Sequence, residues 1–183
     1  MRIVGGQYKG RLFNPGKSFK ARPTTDMAKE SLFNILQNQI DFEDIKVLDL
    51  FSGTGSISFE FASRGCTDIT SVELNFQHHR FIKEVIEKLG EKSIKAIKAN
   101  AFQYAEKSDQ CFDLIFADPP YDHKQFAQVP DLVLSGHLLK DTGLFILEHS
   151  KNYDFSSRPE FIEIRNYGSV HFSFFRKLIS GQE

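Results

Sequence analysis

From residue 46 to residue 148, short apolar runs alternate with longer stretches whose apolar positions recur every three or four residues. Runs of this length fit strands buried on both faces, and the longer period fits helices lying against them. The pattern predicts strands over 46–50, 69–73, 94–98, 112–117 and 143–148, with helices over 56–63, 76–89, 102–107 and 129–139. Gly65 and Gly90 stand where the first two of these helices should stop. Beyond them, 161–165 and 170–176 alternate with period two around Tyr167-Gly168-Ser169, an antiparallel hairpin signature. At the other end, 3–13 reads as two short extended pieces around Gly5-Gly6 and Gly10, followed by a Gly/Pro/Ser loop over 14–23. Thr25 or Asp26 then caps a helix to about Asn38, with Ala28, Leu32, Ile35 and Leu36 on its apolar face. The fold class is therefore α/β: a Rossmann-like, doubly wound, seven-stranded sheet with a C-terminal antiparallel hairpin. A small N-terminal β-hairpin and helix extension over 1–40 precedes a main domain over 41–183.

Composition changes this picture little. With 183 residues the chain is large enough to bury a core without disulfides. Cys66 and Cys111 are isolated, and His78-His79 are neighbours that point in different directions on a helix, so no metal is expected. The start of the chain is polar and no apolar run approaches membrane-spanning length, which predicts a monomeric cytoplasmic protein without membrane contact. Charge distribution is more informative. The net charge of −1 conceals Arg2, Lys9, Arg11, Lys17, Lys20 and Arg22, all preceding the first acid, Asp26. A one-signed basic segment interleaved with Tyr8, Phe13 and Phe19 suits a phosphate backbone with accessible bases. Arg22 is read either as a bidentate phosphate contact or as a structural salt bridge.

Candidate chemistry gathers at predicted strand ends. Asp118-Pro119-Pro120-Tyr121 follows the fourth strand. The prolines hold a turn whose carbonyls point outward, Asp118 and those carbonyls accept hydrogen bonds from an exocyclic amine, and Tyr121 offers a ring face for stacking. The first strand turns into its helix through Asp49-Leu50-Phe51-Ser52-Gly53-Thr54-Gly55, where Gly53 and Gly55 let the backbone approach a ligand. A nicotinamide-binding loop would carry Gly or Ala where Ser58 stands and set a pyrophosphate at the helix N-terminus. Asp49 has the wrong charge for that and suits the ammonium and sulfonium of S-adenosylmethionine. Glu73, 20 residues after Gly53, is placed to accept both hydroxyls of a ribose. Asn100 offers its side-chain oxygen to an adenine amine, with Ala101 and Phe102 beside it. Glu148 also ends a strand and is read either as facing the pocket or, as an acid there ordinarily is, as solvated.

These residues resemble class I S-adenosylmethionine-dependent methyltransferases, with Asp49 to Gly55 as the first motif and Asp118 to Tyr121 as the amino-methyltransferase motif. Residues 1–9 (MRIVGGQYK), Arg22-Pro23-Thr24-Thr25-Asp26, Ser31-Leu32-Phe33-Asn34 and DLFSGTGS narrow the resemblance to the RsmD family. Those are bacterial methyltransferases of guanine N2 in small-subunit (16S) ribosomal RNA. The resemblance implies S-adenosylmethionine as cofactor, held by Asp49, Phe51, Gly53, Gly55, Glu73, Asn100 and Ala101. It also implies catalysis by Asp118, Pro119, Pro120 and Tyr121 and, as partner, ribosomal RNA or the small subunit, contacted by Arg2, Lys9, Arg11 and Arg22. The chain departs from the family at Met27-Ala28-Lys29, where Arg-rich positions are usual. Methylation of adenine in nucleic acid, a non-catalytic ribosome-assembly factor and an NAD-dependent enzyme are the competing readings.

Overall fold

A computed structural model of the chain describes residues 1–16 and 25–178. Helix α1 (Asp26–Gln37) starts at Thr25, whose hydroxyl accepts the Ala28 N–H at 3.2 Å. There follow β1 (Lys46–Leu50), α2 (Ser56–Ser63), β2 (Asp68–Glu73), α3 (Phe76–Leu89), β3 (Ile94–Lys98), α4 (Ala101–Lys107) and β4 (Phe112–Ala117). A single 3-10 turn then leads into α5 (Val129–Leu134), β5 (Leu139–His149), β6 (Phe161–Tyr167) and β7 (Val170–Phe175).

The strands form one sheet in the order β3-β2-β1-β4-β5-β7-β6, parallel except that β7 runs antiparallel to both its neighbours. After β1 the chain adds strands on one side, and from β4 it adds them on the other. This reversal opens a crevice at the carboxyl ends of β1 and β4, the place where such sheets bind ligands. Two apolar layers cover the sheet. Val47, Phe116, Ile146 and Phe172 pack with α2, α3 and α1 on one face, while Leu48, Ile115, Leu147 and Phe175 pack with α4 and α5 on the other. Ile3, Leu32 and Phe33 belong to the first layer, so segment 1–40 shares its core with the rest of the chain.

Two local expectations are corrected, the extent of α5 and the buried face of α1. The helix foreseen over 129–139 ends at Leu134, and Leu139 already opens β5 opposite Phe112. Gly143 permits the irregular pairing there, because a Cβ would lie 2.6 Å from Leu139 Cδ1. The expected N-terminal hairpin is present: Arg2 bridges Leu12 antiparallel, with Ile3 N–H donating to the Arg11 carbonyl at 3.0 Å and Phe13 N–H to the Met1 carbonyl at 2.9 Å. The hairpin is also fastened to α2: Val4 N–H donates to Glu60 Oε1 at 2.6 Å, and Tyr8 N–H to Ser63 Oγ at 2.9 Å. Gly6, at φ 70°, lies where a Cβ would be 1.8 Å from the Ser63 carbonyl oxygen. On α1 the buried face includes Phe33 and Lys29, with Ile35 only half-buried. Lys29 is 1 % exposed; its ammonium donates to the Arg2 carbonyl and to Ser56 Oγ and lies 3.3 Å from Glu60 Oε1. Burial lowers the pKa of that ammonium and the Glu60 carboxylate opposes the shift.

Candidate active site

A cavity of about 780 Å³ occupies the crevice at the β1/β4 carboxyl edge. Its wall contains every cofactor and catalytic residue expected from the sequence except Gly55, which caps α2 directly behind it.

The loop after β1 is shaped by three positive φ angles: Phe51 at 62°, Gly53 at 54° and Gly55 at 73°. A phenylalanine in this region is strained by about 1–3 kcal/mol. The loop is pinned by Ser52, whose N–H donates to the Val72 carbonyl at 3.0 Å and whose hydroxyl donates to the Asp49 carbonyl at 2.8 Å. Phe51 packs edge-on against Phe102, which in turn stacks on His123 at 4.8 Å between centroids. The two glycines differ in purpose. A Cβ on Gly53 would meet nothing closer than Phe51 O at 4.0 Å, whereas one on Gly55 would press Ile82 and Phe59 at 3.0 Å.

Glu73 carries this loop with one carboxylate. Its Oε2 accepts the Gly53 N–H at 2.8 Å and its Oε1 the Asn75 N–H at 2.7 Å, with His78 Nδ1 3.8 Å from Oε1. Asp49 is buried, and its Oδ2 accepts both Ser58 N–H at 3.1 Å and Ser58 Oγ at 2.6 Å. Burial pushes its pKa up to about 7 against the lowering by these hydrogen bonds, with the Glu73 charge adding to the rise. Ser58, singled out in the sequence only as the absent third glycine, is thus the residue that orients Asp49.

Asn100 requires a correction. Its Oδ1 receives the N–H groups of Phe102 at 3.0 Å and Gln103 at 3.2 Å, capping α4. Both donors are backbone N–H, so the atom facing them is the oxygen, and the oxygen is not the group left over for a ligand amine. Asn100 and Ala101 still line the cavity, with the amide nitrogen as Asn100's remaining polar group.

Asp118, Pro119, Pro120 and Tyr121 line the cavity beside the β1 loop, where Asp118 N–H donates to the Leu50 carbonyl at 3.3 Å. Pro120's carbonyl is taken by His123 N–H at 2.9 Å, while no donor among the described residues bonds the Pro119 carbonyl. Tyr121 is half-buried, its ring edge-on to Phe126, its carbonyl held by the Tyr153 hydroxyl at 2.8 Å and its own hydroxyl 3.4 Å from Glu148 Oε1. Of the two readings of Glu148, the structure shows the pocket-facing one: it is 3 % exposed and lines the cavity. Desolvation, then the Glu148 charge, then Asp49, raise the Asp118 pKa well above the usual carboxylate range. No spacing rule could have marked Glu148, since its burial depends on β7 pairing beside β5.

The basic residues lie elsewhere. Lys9 and Arg11 are exposed, Arg11 near the Tyr8 ring, while Arg2 is paired with Asp26 at 2.8 Å. Arg22 lies outside the described residues. Among the described residues no group of three or more His, Cys, Asp or Glu is placed to hold a metal ion, and no helix is long and apolar enough to cross a membrane.

A doubly wound sheet with a terminal antiparallel pair, a glycine loop after β1, an acid ending β2 and an Asp-Pro-Pro-Tyr turn ending β4 define a class I methyltransferase. Residues 1–176 match the family described as Conserved hypothetical protein 95. The chain belongs to that family, the RsmD family of S-adenosylmethionine-dependent methyltransferases. It is 30% identical over 148 residues, 81% of its length and 75% of the relative's, to Ribosomal RNA small subunit methyltransferase D of Buchnera aphidicola subsp. Baizongia pistaciae. The putative rRNA methyltransferase YlbH of Bacillus subtilis is also 30% identical, over 84% of this chain and 85% of its own. Among solved structures, hypothetical protein TTHA0928 of Thermus thermophilus superposes with a TM-score of 0.84 at 25% identity, covering 96% of this chain and 99% of that one.

The cavity fits S-adenosylmethionine by its own chemistry. Asp49 and Glu73 complement an ammonium and a ribose diol, Gly53 leaves open space where a side chain would stand, and Phe51, Ile57 and Phe102 supply apolar wall.

Proposed function

We propose that the chain methylates the exocyclic N2 amine of a guanine in small-subunit ribosomal RNA. The observation that carries the reading is the position of Asp118 and Pro119, which line the same cavity as the loop and acid suited to the cofactor, with no donor among the described residues on the Pro119 carbonyl. The names borne by relatives at 30% identity support RNA as the substrate class.

Bound in this cavity, S-adenosylmethionine supplies an electrophilic sulfonium methyl with a thioether as leaving group. The chain's residues address the other reactant. A guanine amine is conjugated with its ring and is a weak nucleophile. Asp118 and the Pro119 carbonyl each accept one of its N–H bonds, which directs the nitrogen lone pair out of conjugation and fixes its line of approach. The proton shed after transfer passes to Asp118 and on to water, so Asp118 must be ionised when the base docks. Tyr121 stacks on the base, which leaves its own stack to enter, a contact worth roughly 1–3 kcal/mol. Lys9, Arg11 and Arg22 contact RNA phosphates, and Arg2 contributes less because Asp26 already holds it.

Transfer of labelled methyl to small-subunit RNA lacking the modification, followed by digestion to nucleosides, tests the reading. Label in N2-methylguanosine supports it; label in methyladenosine would assign the same clamp to adenine, and no label would leave only RNA binding.

A further inference from the structure

Glu148 is a buried acid of the cavity that neither the proposed amine activation nor the proposed cofactor contacts use. Glu148 stands beside Asp118 because Ala117 pairs with Leu147 in the parallel β4/β5 register, so the next residue of each strand is level with its neighbour. Phe116 and Ile146, two positions earlier, lie in the same apolar layer, so alternation sends Asp118 and Glu148 to the same side of the sheet. Strand separation sets their backbones about 4.8 Å apart. Glu148 is also held firmly: β5 is paired on both sides, with Glu148 opposite Phe172 on β7, and its Oε1 is 3.4 Å from the Tyr121 hydroxyl.

Two carboxylates buried side by side repel each other, and Asp49 adds a third nearby. A ligand that brings two adjacent donors relieves that repulsion. The base edges differ sharply here. Guanine presents N1–H next to the N2 amine, a contiguous row of donors. Adenine presents a bare N1 lone pair next to its amine, which would face a carboxylate lone pair.

We propose that Glu148 determines base specificity by accepting the guanine N1–H while Asp118 and the Pro119 carbonyl hold the N2 amine. The inference rests on the guanine reading above and adds the residue that selects the base. It makes Tyr121 a bridge between the two tasks, since the ring that stacks on the base carries the hydroxyl beside Glu148.

The test uses 2-aminopurine, which retains the reactive amine but has a lone pair at N1 instead of N–H. Small-subunit RNA carrying either guanine or 2-aminopurine at the modified position is offered to the full chain, and kcat/KM is compared. Wild type should favour guanine roughly ten- to a hundredfold. In Glu148→Gln the side-chain amide is able to rotate and donate to N1, so the preference should fall to a few-fold, chiefly through faster use of 2-aminopurine. A merely structural residue would slow both substrates equally and leave the ratio unchanged, which overturns the proposal. Equal use of both bases by wild type overturns it too, and that measurement needs no folded variant. If neither RNA accepts methyl from wild type, or label appears in adenine, the guanine reading itself has failed. If guanine N2 is methylated and the ratio is the same in wild type and Glu148→Gln, only the specificity role has.

Discussion

At the residue scale the cavity is a set of acids held under electrostatic tension. Asp49, with its pKa raised to about 7, binds its proton more tightly folded than unfolded. Its contribution is therefore most favourable below the unfolded value near 4 and is lost as pH rises through about 7. Asp49→Asn keeps an oxygen for Ser58 and removes that loss. Its thermal midpoint should exceed wild type at pH 8 by more than at pH 5, with a ceiling of ~4 kcal/mol, as read by pH-resolved melting. Asp118 follows a different logic. Its proposed role requires the ionised form, while burial and then the Glu148 charge favour the protonated one. Methyl transfer should accordingly rise with pH along a limb well above the ordinary carboxylate range, and Glu148→Gln should move that limb downward. Asp118→Asn should lower kcat by about a hundred- to a thousandfold while leaving S-adenosylmethionine affinity, measured by calorimetry, close to wild type.

At the element scale the loop after β1 separates two uses of glycine. Gly55→Ala would meet Ile82 and Phe59 at 3.0 Å with φ at 73°, so it should lose about 1–3 kcal/mol of stability by urea unfolding. Gly53→Ala meets no close protein atom and should cost only about 1 kcal/mol, from its φ of 54°. Its larger effect should be a weakened cofactor affinity, because the methyl enters space the ligand needs. The two glycines and the acids at 49, 73 and 118 were legible in the sequence because strand periodicity fixes where each run ends. What was not legible depended on neighbours distant in sequence. Asn100 followed the N-cap pattern, yet a cap and a ligand contact look alike until α4 is seen to start at Ala101. Glu148 reads either way in the sequence because the hairpin that buries it returns more than 20 residues later. Lys29 stood out in the sequence only within Met27-Ala28-Lys29, and α1 turns it inward onto Glu60 and Ser56.

At the scale of the whole molecule, the charge asymmetry becomes an arrangement in space. Segment 1–16 is fastened to α2 through Val4, Tyr8 and the buried Lys29–Glu60 pair, and α2 begins at the loop that lines the cavity. Exposed Lys9 and Arg11 therefore stand on a rigid platform instead of a loose tail. Replacing both with Gln should weaken RNA binding and reduce the salt slope of the binding constant by about 1.5, with S-adenosylmethionine affinity unchanged. A slope equal to wild type would remove these residues from the RNA interface.

In the proposed reaction, Asp118 and its prolines present a guanine amine of small-subunit RNA for methylation. Mass mapping of ribosomal RNA from cells lacking the protein tests it most directly. A single N2-methylguanine should vanish from the small-subunit RNA, returning with the wild-type chain and staying absent with Asp118→Ala. Loss of a methyladenine instead, or an RNA map identical to that of normal cells, would contradict the account.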